Sequence, residues 1–291
     1  MAQIMQDAFQ QAREYEQAKR DYENLSRAER RRTAPPRTDY RLEAILQVIN
    51  SERYTHVHSY VASEVLALMD VVEQQGFKIH TFTHILEGYK VAKEIAEHGA
   101  GASSFADWWA FKIEAFDAIP QNMCLMMEQG VLTSINSDSN DLQRRLNTEA
   151  AKSVRYCGMS EADALKMITL YPAMQLEIDE YVGSITEGKH ADLVFWNAHP
   201  LSAYAQVQQT WIEGRKYFDR EADLQAREAV NAERQALIQK VLGAGEEAYR
   251  GASNGYRQQQ PTWHCEDNHD VWLDWFGDHH HGHSHELGGT E

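Results

Sequence analysis

The chain has 291 residues, 43% of them hydrophobic, and carries 44 acidic against 28 basic side chains for a formal net charge of −16 at pH 7. That length supports one large domain or two modest ones, and 7 Trp, 13 Tyr and 9 Phe supply enough bulk for a core. The charge excludes nucleic acid and anionic membrane surfaces as natural partners, and no apolar run reaches the ~18 residues of a membrane span.

Residues 1–32, charged and amphipathic with no apolar signal-peptide core, read as one exposed helix stopped by TAPPRT. With no export address read on the chain, a cytoplasmic location is the default expectation. A short amphipathic helix follows at DYRLEAILQVINSE (39–52), and the first 52 residues together form a helical extension. A rhythm then sets in. RYTHVHSY (53–60) reads as a strand and 62–77 as a helix; KIHTFTHIL (78–86) is a strand and 88–99 a helix closed by Gly99. AGASSF (100–105) is a small-residue strand followed by a helical region through Gln129, and GVLTSIN (130–136) is a strand followed by a helix ending at Gly158. Strands alternating with helices at this spacing indicate βαβ units and a parallel sheet. SEADALKMITLYPAMQLEI (160–178) reads as one more helix, with Pro172 near its end. The style then changes to short antiparallel strands with glycine turns (181–220), a polar helix (221–250) and a tail (251–291) read as disordered. From 261 onward that tail holds seven histidines and seven acids with no Lys or Arg. Cys124, Cys157 and Cys265 lie far apart without CxxC spacing, which argues against a disulfide framework and a thiolate zinc site.

Three metal-competent side chains fall at the C-terminal ends of the strands: His58 at the first, His84 at the second and Asp138 at the fourth. In a (β/α) barrel, groups at strand C-termini converge on one mouth. Two imidazoles and a carboxylate suit a divalent transition metal. Taken singly, each histidine is explained as a hydrogen-bonded core group and Asp138 as a helix N-cap; their shared placement favours the ligand set.

THILEGYKVAKEIAEHGAGASSFADWW, VLTSINSDSNDLQRRLNTEAAKSVRYCGMSEADALKMITLYPA and VGSITEGKHADLVFWNAHPLS resemble the metal-dependent amidohydrolase superfamily, closest to its imidazolonepropionase-like and Xaa-Pro-dipeptidase-like members, over residues 50–220. The usual NPA stands here as Tyr171-Pro172-Ala173. The resemblance implies an α/β fold: the C-terminal half of a TIM-type (β/α)8 barrel, strands five to eight within 53–180, plus part of a small β-sandwich at 181–220. It makes His58 and His84 ligands on the fifth and sixth strands. Asp138 becomes the eighth-strand ligand that accepts the proton of the attacking water. The implied cofactor is a divalent metal, zinc foremost, and the implied reaction is hydrolysis of a C–N bond in a cyclic amide, small amide or dipeptide.

The family's His-x-His pair on the first strand and its fourth-strand residue have no counterpart. His56 and His58 share a strand face, yet only four units run from their strand to Asp138 inclusive, so His56 and His80 read as interior packing residues. The chain therefore reads as truncated or split, its partners being a small-molecule amide, an N-terminal half of the same enzyme and further copies in a homo-oligomer. The alternative is a catalytically inactive remnant or a metal-binding module working through DHHHGHSH. Trp108 and Trp109 read as packing or pocket residues, Glu87 and Gly88 as a turn, and Arg144 and Arg145 as a solvated helix face.

Overall fold

In a computed structural model of the protein, which describes residues 2–110 and 112–245, the alternating segments do form a four-stranded parallel sheet. Its strands lie side by side in chain order: β1 His56–His58, β2 Thr81–Thr83, β3 Gly101–Ser104 and β4 Thr133–Ile135. The helices are α1 Ala2–Asn24, α2 Arg27–Arg30, α3 Tyr40–Ile49, α4 Ala62–Gln74, α5 Ala92–His98 and α6 Asn122–Glu128. They continue as α7 Leu146–Cys157, α8 Glu161–Lys166, α9 Leu170–Gln175 and α10 Arg220–Ala244. The chain divides into two units: Met1–Asn136 with Leu146–Lys189, and Ser137–Arg145 with the residues from His190 onward. Residues 246–291, which include the histidine-rich tail, lie outside the described part.

In the first unit, strand register separates two sheet faces. Val57, Phe82, Ala102 and Thr133 align across all four strands, with Ser104 beside Ile135 on the same face. Helices cover this face: Phe82 and Ala102 are fully buried, and Asn122 of α6 donates from Nδ2 to Ser104 Oγ at 3.3 Å. The opposite face carries His56, Thr81 and Gly101 in one row and His58, Thr83, Ser103 and Ser134 in the next. Parallel sheets are usually apolar on both sides, so a face of imidazoles, hydroxyls and glycine marks the wall of a site. Gln175, at the end of α9, floors it. Its Nε2 donates to the carbonyls of Ala102 (3.0 Å) and Leu132 (2.9 Å), and Ser134 Oγ donates to its Oε1 at 2.6 Å. Gly101 permits this approach, since a Cβ there would sit 3.1 Å from Gln175 Nε2.

Local chemistry fixes the helices. α3 starts at Asp39, whose carboxylate accepts from the N–H groups of Arg41 and Leu42. α4 has no side-chain cap of its own; Glu87, from the turn after β2, reaches Ala62 N at 2.9 Å and supplies one. α5 ends on Gly99 in the left-handed region. His98, buried, accepts from Ile79 N–H through Nε2 (3.0 Å), so the proton on Nδ1 goes to Glu73 at 2.6 Å.

Five expectations need correction. The N-terminal helix ends at Asn24, because Ser26 and Glu29 form a capping box that starts α2. It is also not solvated all round: Ala12 is buried, Phe9 packs edge-on to Phe77 at 5.1 Å, and Tyr15 Oη donates to Glu43 at 2.6 Å. Among the described residues between β3 and Gln129, only a 3-10 turn (Ile113–Ala115) and α6 are helical. The helix expected over 160–178 breaks into α8 and α9, and the Met167 carbonyl between them accepts Ile135 N–H of β4 at 3.0 Å. Cys124 and Cys157, remote in sequence, form a disulfide with Cα atoms 6.6 Å apart. Sequence distance had no bearing, since α6 and α7 both pack on β4.

In the second unit β5 Leu193–Trp196, β6 Val207–Ile212 and β7 Arg215–Asp219 form an antiparallel sheet in that order. Glu213 and Gly214, both at positive φ, turn β6 into β7. Asp219 caps α10 through Glu221 N (3.1 Å) and Ala222 N (3.2 Å). No described residue of this unit is buried, and Val194 and Phe195 remain 47% and 50% exposed. Three strands and a helix of this kind leave apolar surface uncovered. No described helix in either unit is long and apolar enough to cross a membrane.

Candidate metal centre

His58 is the last residue of β1 and His84 directly follows β2, so both stand at the C-terminal end of adjacent parallel strands. Their ring centroids are 4.4 Å apart at an interplanar angle of 59°. His58 lies on the sheet's edge strand and is exposed; His84 is 2% exposed. His84 sits at φ +62°, in the left-handed region that β-carbon sterics make costly for a non-glycine residue. Its ring lies between Tyr60, 5.6 Å away and 20° from parallel, and Phe105, 5.0 Å away and 12° from parallel. Trp108 extends the stack beyond Phe105 at 4.4 Å. Lys112 Nζ lies 3.8 Å above the Tyr60 ring. Asn136, just past β4, brings its carboxamide nitrogen to 3.4 Å from His84 Nδ1.

Asp138 belongs to the second unit and is half-buried at φ +44°. The capping role that sequence allowed it falls instead to Ser139, whose Oγ accepts from Asp141 N (3.2 Å) and Leu142 N (3.4 Å). Six described non-glycine residues have positive φ, and His84 and Asp138 are two of them. Backbone strain of this kind collects at functional sites.

The structure thus brings His58 and His84 together within one unit, while Asp138 stands in the other. Among the described residues no three His, Cys, Asp or Glu side chains form a metal-holding group. Two imidazoles with adjoining rings at the end of a polar sheet face do fit two positions of a divalent cation that takes nitrogen ligands. The donor chemistry agrees with the metal; the set needs a further oxygen donor.

Tyr60, Phe105, Lys112 and Asn136 are the residues that sequence reasoning passed over. Tyr60 carried a signal, because it continues the period-two alternation of His56 and His58. Trp108 is part of the stack behind His84, whereas Trp109 is 44% exposed beside Tyr156. Arg144 pairs with Asp141 on an exposed turn, as a solvated face requires. His56 and His80 pack together at the far end of the strands, ring centroids 5.7 Å apart, and His80 Nε2 lies 3.6 Å from Glu177. Burial of part of its ring, then the neighbouring His80, hold the His56 imidazole below its ordinary pKa. Beside Trp108, Asp107 and the buried Glu149 both bind Lys152, the latter at 2.7 Å. Burial alone would lower the Lys152 pKa, but the two carboxylates outweigh it and raise it.

Comparison with known proteins adds an independent line. The model of the amidohydrolase family matches residues 13–216. The chain is 28% identical over 186 residues to the amidohydrolase tasK of Hapsidospora irregularis, covering 62% of this chain and 19% of that protein. It is 50% identical over 42 residues to an imidazolonepropionase of Picrophilus torridus, covering 14% of this chain and 11% of that one. Among solved structures it is similar to an amidohydrolase from Thermotoga maritima, with a TM-score of 0.67 and 27% identity over 75% of this chain and 56% of the other. The chain therefore spans about half the length of that solved relative and a smaller share of the other two.

Proposed function

The chain belongs to the amidohydrolase family, and on that premise we propose that it is a metal-dependent hydrolase of C–N bonds, acting on a cyclic amide, small amide or dipeptide. The observation that carries this is the His58–His84 pair, 4.4 Å between ring centroids at the C-terminal ends of adjacent strands. His58 and His84 would hold a divalent cation, zinc foremost, with Asp138 as the oxygen donor. When bound, such a cation lowers the pKa of a water to about 7 and polarises a carbonyl. Asp138 would be the carboxylate that takes the proton of the attacking water and passes it to the departing amine, a transfer that needs it within hydrogen-bond reach of both. Tyr60, Phe105 and Trp108 exclude water from the buried side of His84 and hold its ring plane.

β1 is an edge strand carrying both exposed histidines, and the outer edge of β4 is met by Met167. Further strands would join at β1. We place there an N-terminal half of the same enzyme, supplying the first four barrel strands, with the assembled protein a homo-oligomer. In the protein combined with that N-terminal half, restoring zinc after chelation should restore cleavage of small amides or dipeptides, and His84→Ala should abolish it. Cleavage that survives both chelation and His84→Ala would overturn the reading.

A further inference from the structure

We infer that Cys157 is a thiol-exchange site, and that a dithiol reductant acting there opens the Cys124–Cys157 bridge and releases the last turn of α7 from α6 while the fold is kept. The inference is independent of the metal reading, since neither cysteine belongs to the candidate centre. The bridge joins α6 to the final residue of α7 across a sequence separation of 33. Its two sides differ in access. Cys124 is 5% exposed, whereas Cys157 is half-buried and the helix stops there, followed by Gly158 at φ +67°. Exchange begins when a thiolate reaches one sulfur of a disulfide, so access selects Cys157 as the residue attacked and Cys124 as the one that leaves.

The surroundings are ready for the open form. Cys157 Sγ lies 3.1 Å from the Ser153 carbonyl oxygen, one helical turn back, and Cys124 Sγ lies 4.0 Å from the same oxygen. A bridged sulfur carries no hydrogen and cannot use that acceptor; a thiol can, as a weak donor. Ser153 is 1% exposed and its hydroxyl meets no partner among the described residues, so unused hydrogen-bonding capacity is buried beside the bridge. The hold on α7 is also uneven. Lys152 binds Asp107 and keeps the middle of the helix on the segment after β3, while residues 154–157 have the bridge as their tie to α6. The reaction is a two-electron exchange. A thiolate of the dithiol bonds to Cys157 Sγ as the Cys124–Cys157 bond breaks, and Cys124 leaves as a thiolate that takes up a proton. The second thiol of the reductant, having given up its proton, attacks the reductant's own sulfur in the mixed disulfide. Cys157 then leaves and is protonated in turn, and the reductant departs as its disulfide.

The test uses the full chain carrying Cys265→Ser, which removes the third cysteine from the count. Alkylation of the air-oxidised chain in denaturant should find no free thiol. Graded ratios of reduced to oxidised dithiothreitol, without denaturant, should open the pair to two thiols and close it again, with far-UV circular dichroism unchanged. Limiting glutathione, quenched by alkylation, should leave the glutathione on Cys157 and the alkyl group on Cys124. Hydrogen exchange in residues 154–157 should quicken on opening by about tenfold or more relative to α4, because a local tie has been removed. Two free thiols in the air-oxidised chain would overturn the inference. So would a bridge that opens only in denaturant, loss of the fold on reduction, or glutathione found on Cys124. Exchange that quickens equally in both helices would overturn it as well, since the bridge would then act on the whole fold and not on the end of α7.

Discussion

His84 and Asp138 hold left-handed backbone at φ +62° and +44°, a conformation that costs a non-glycine residue of order 1–3 kcal/mol unless its surroundings impose it. At His84 those surroundings are visible as the Tyr60 and Phe105 rings. Asp138→Asn should retain much of the bound metal yet lower kcat by roughly 10²–10⁴-fold; an unchanged kcat would remove Asp138 from proton transfer. His56 gives a prediction for stability. Its folded pKa lies below the ordinary 6.5, so the unfolded chain binds the proton first and stability is fully present above that value. Thermal melts should therefore decline as pH falls through and below 6.5, and His56→Gln should flatten that slope. The histidines were legible in the sequence because strand periodicity and strand ends are both written in residue types. Asn136 and the strained φ values were not, because tautomer partners and left-handed backbone depend on what packs alongside. Asp138 could be read as a cap until Ser139 was seen to do that work.

Elements tell a similar story, with packing overriding periodicity. α7 is tied to neighbouring elements twice in the first unit: by the Cys124–Cys157 disulfide to α6, and by Lys152 to Asp107 after β3. Lys152→Met leaves Glu149, 3% exposed, without its cation. We expect a loss of about 2–3 kcal/mol in denaturant unfolding, below the ~3–5 of a fully buried pair because Lys152 and Asp107 keep partial access to solvent; a change under about 0.5 would make the pair ornamental. Phe9→Ala should cost about 2 kcal/mol, less than a fully buried phenylalanine, since Phe9 is half-buried against Phe77. The strands, α3 and α4 were readable to within a few residues from apolar periodicity and caps. The break between α8 and α9 was hidden, because Met167 O serves β4, a tertiary bond with no local signature. α1 was misjudged for a related reason: its single buried stripe through Phe9 and Ala12 is narrow within a charged sequence.

For the molecule as a whole, each unit offers uncovered structure. In the first, β1 is an edge strand with exposed residues at His56 and His58; in the second, no described residue is buried. Exposed apolar groups such as Val194 and Phe195 mark surfaces that association covers. Sedimentation of the purified chain should accordingly show species heavier than 33.4 kDa; a concentration-independent monomer would contradict the homo-oligomer. The parallel sheet was legible from the alternation of strands and helices, but which surfaces remain open was not, since openness belongs to the assembled elements. The central claim is that His58 and His84 hold a metal. The direct measurement is zinc bound per chain in protein ended at residue 245, which removes the histidine-rich tail, compared with the same protein carrying His58→Ala and His84→Ala. The account predicts zinc in the first and its loss in the second; equal zinc in both, or none in either, would contradict it.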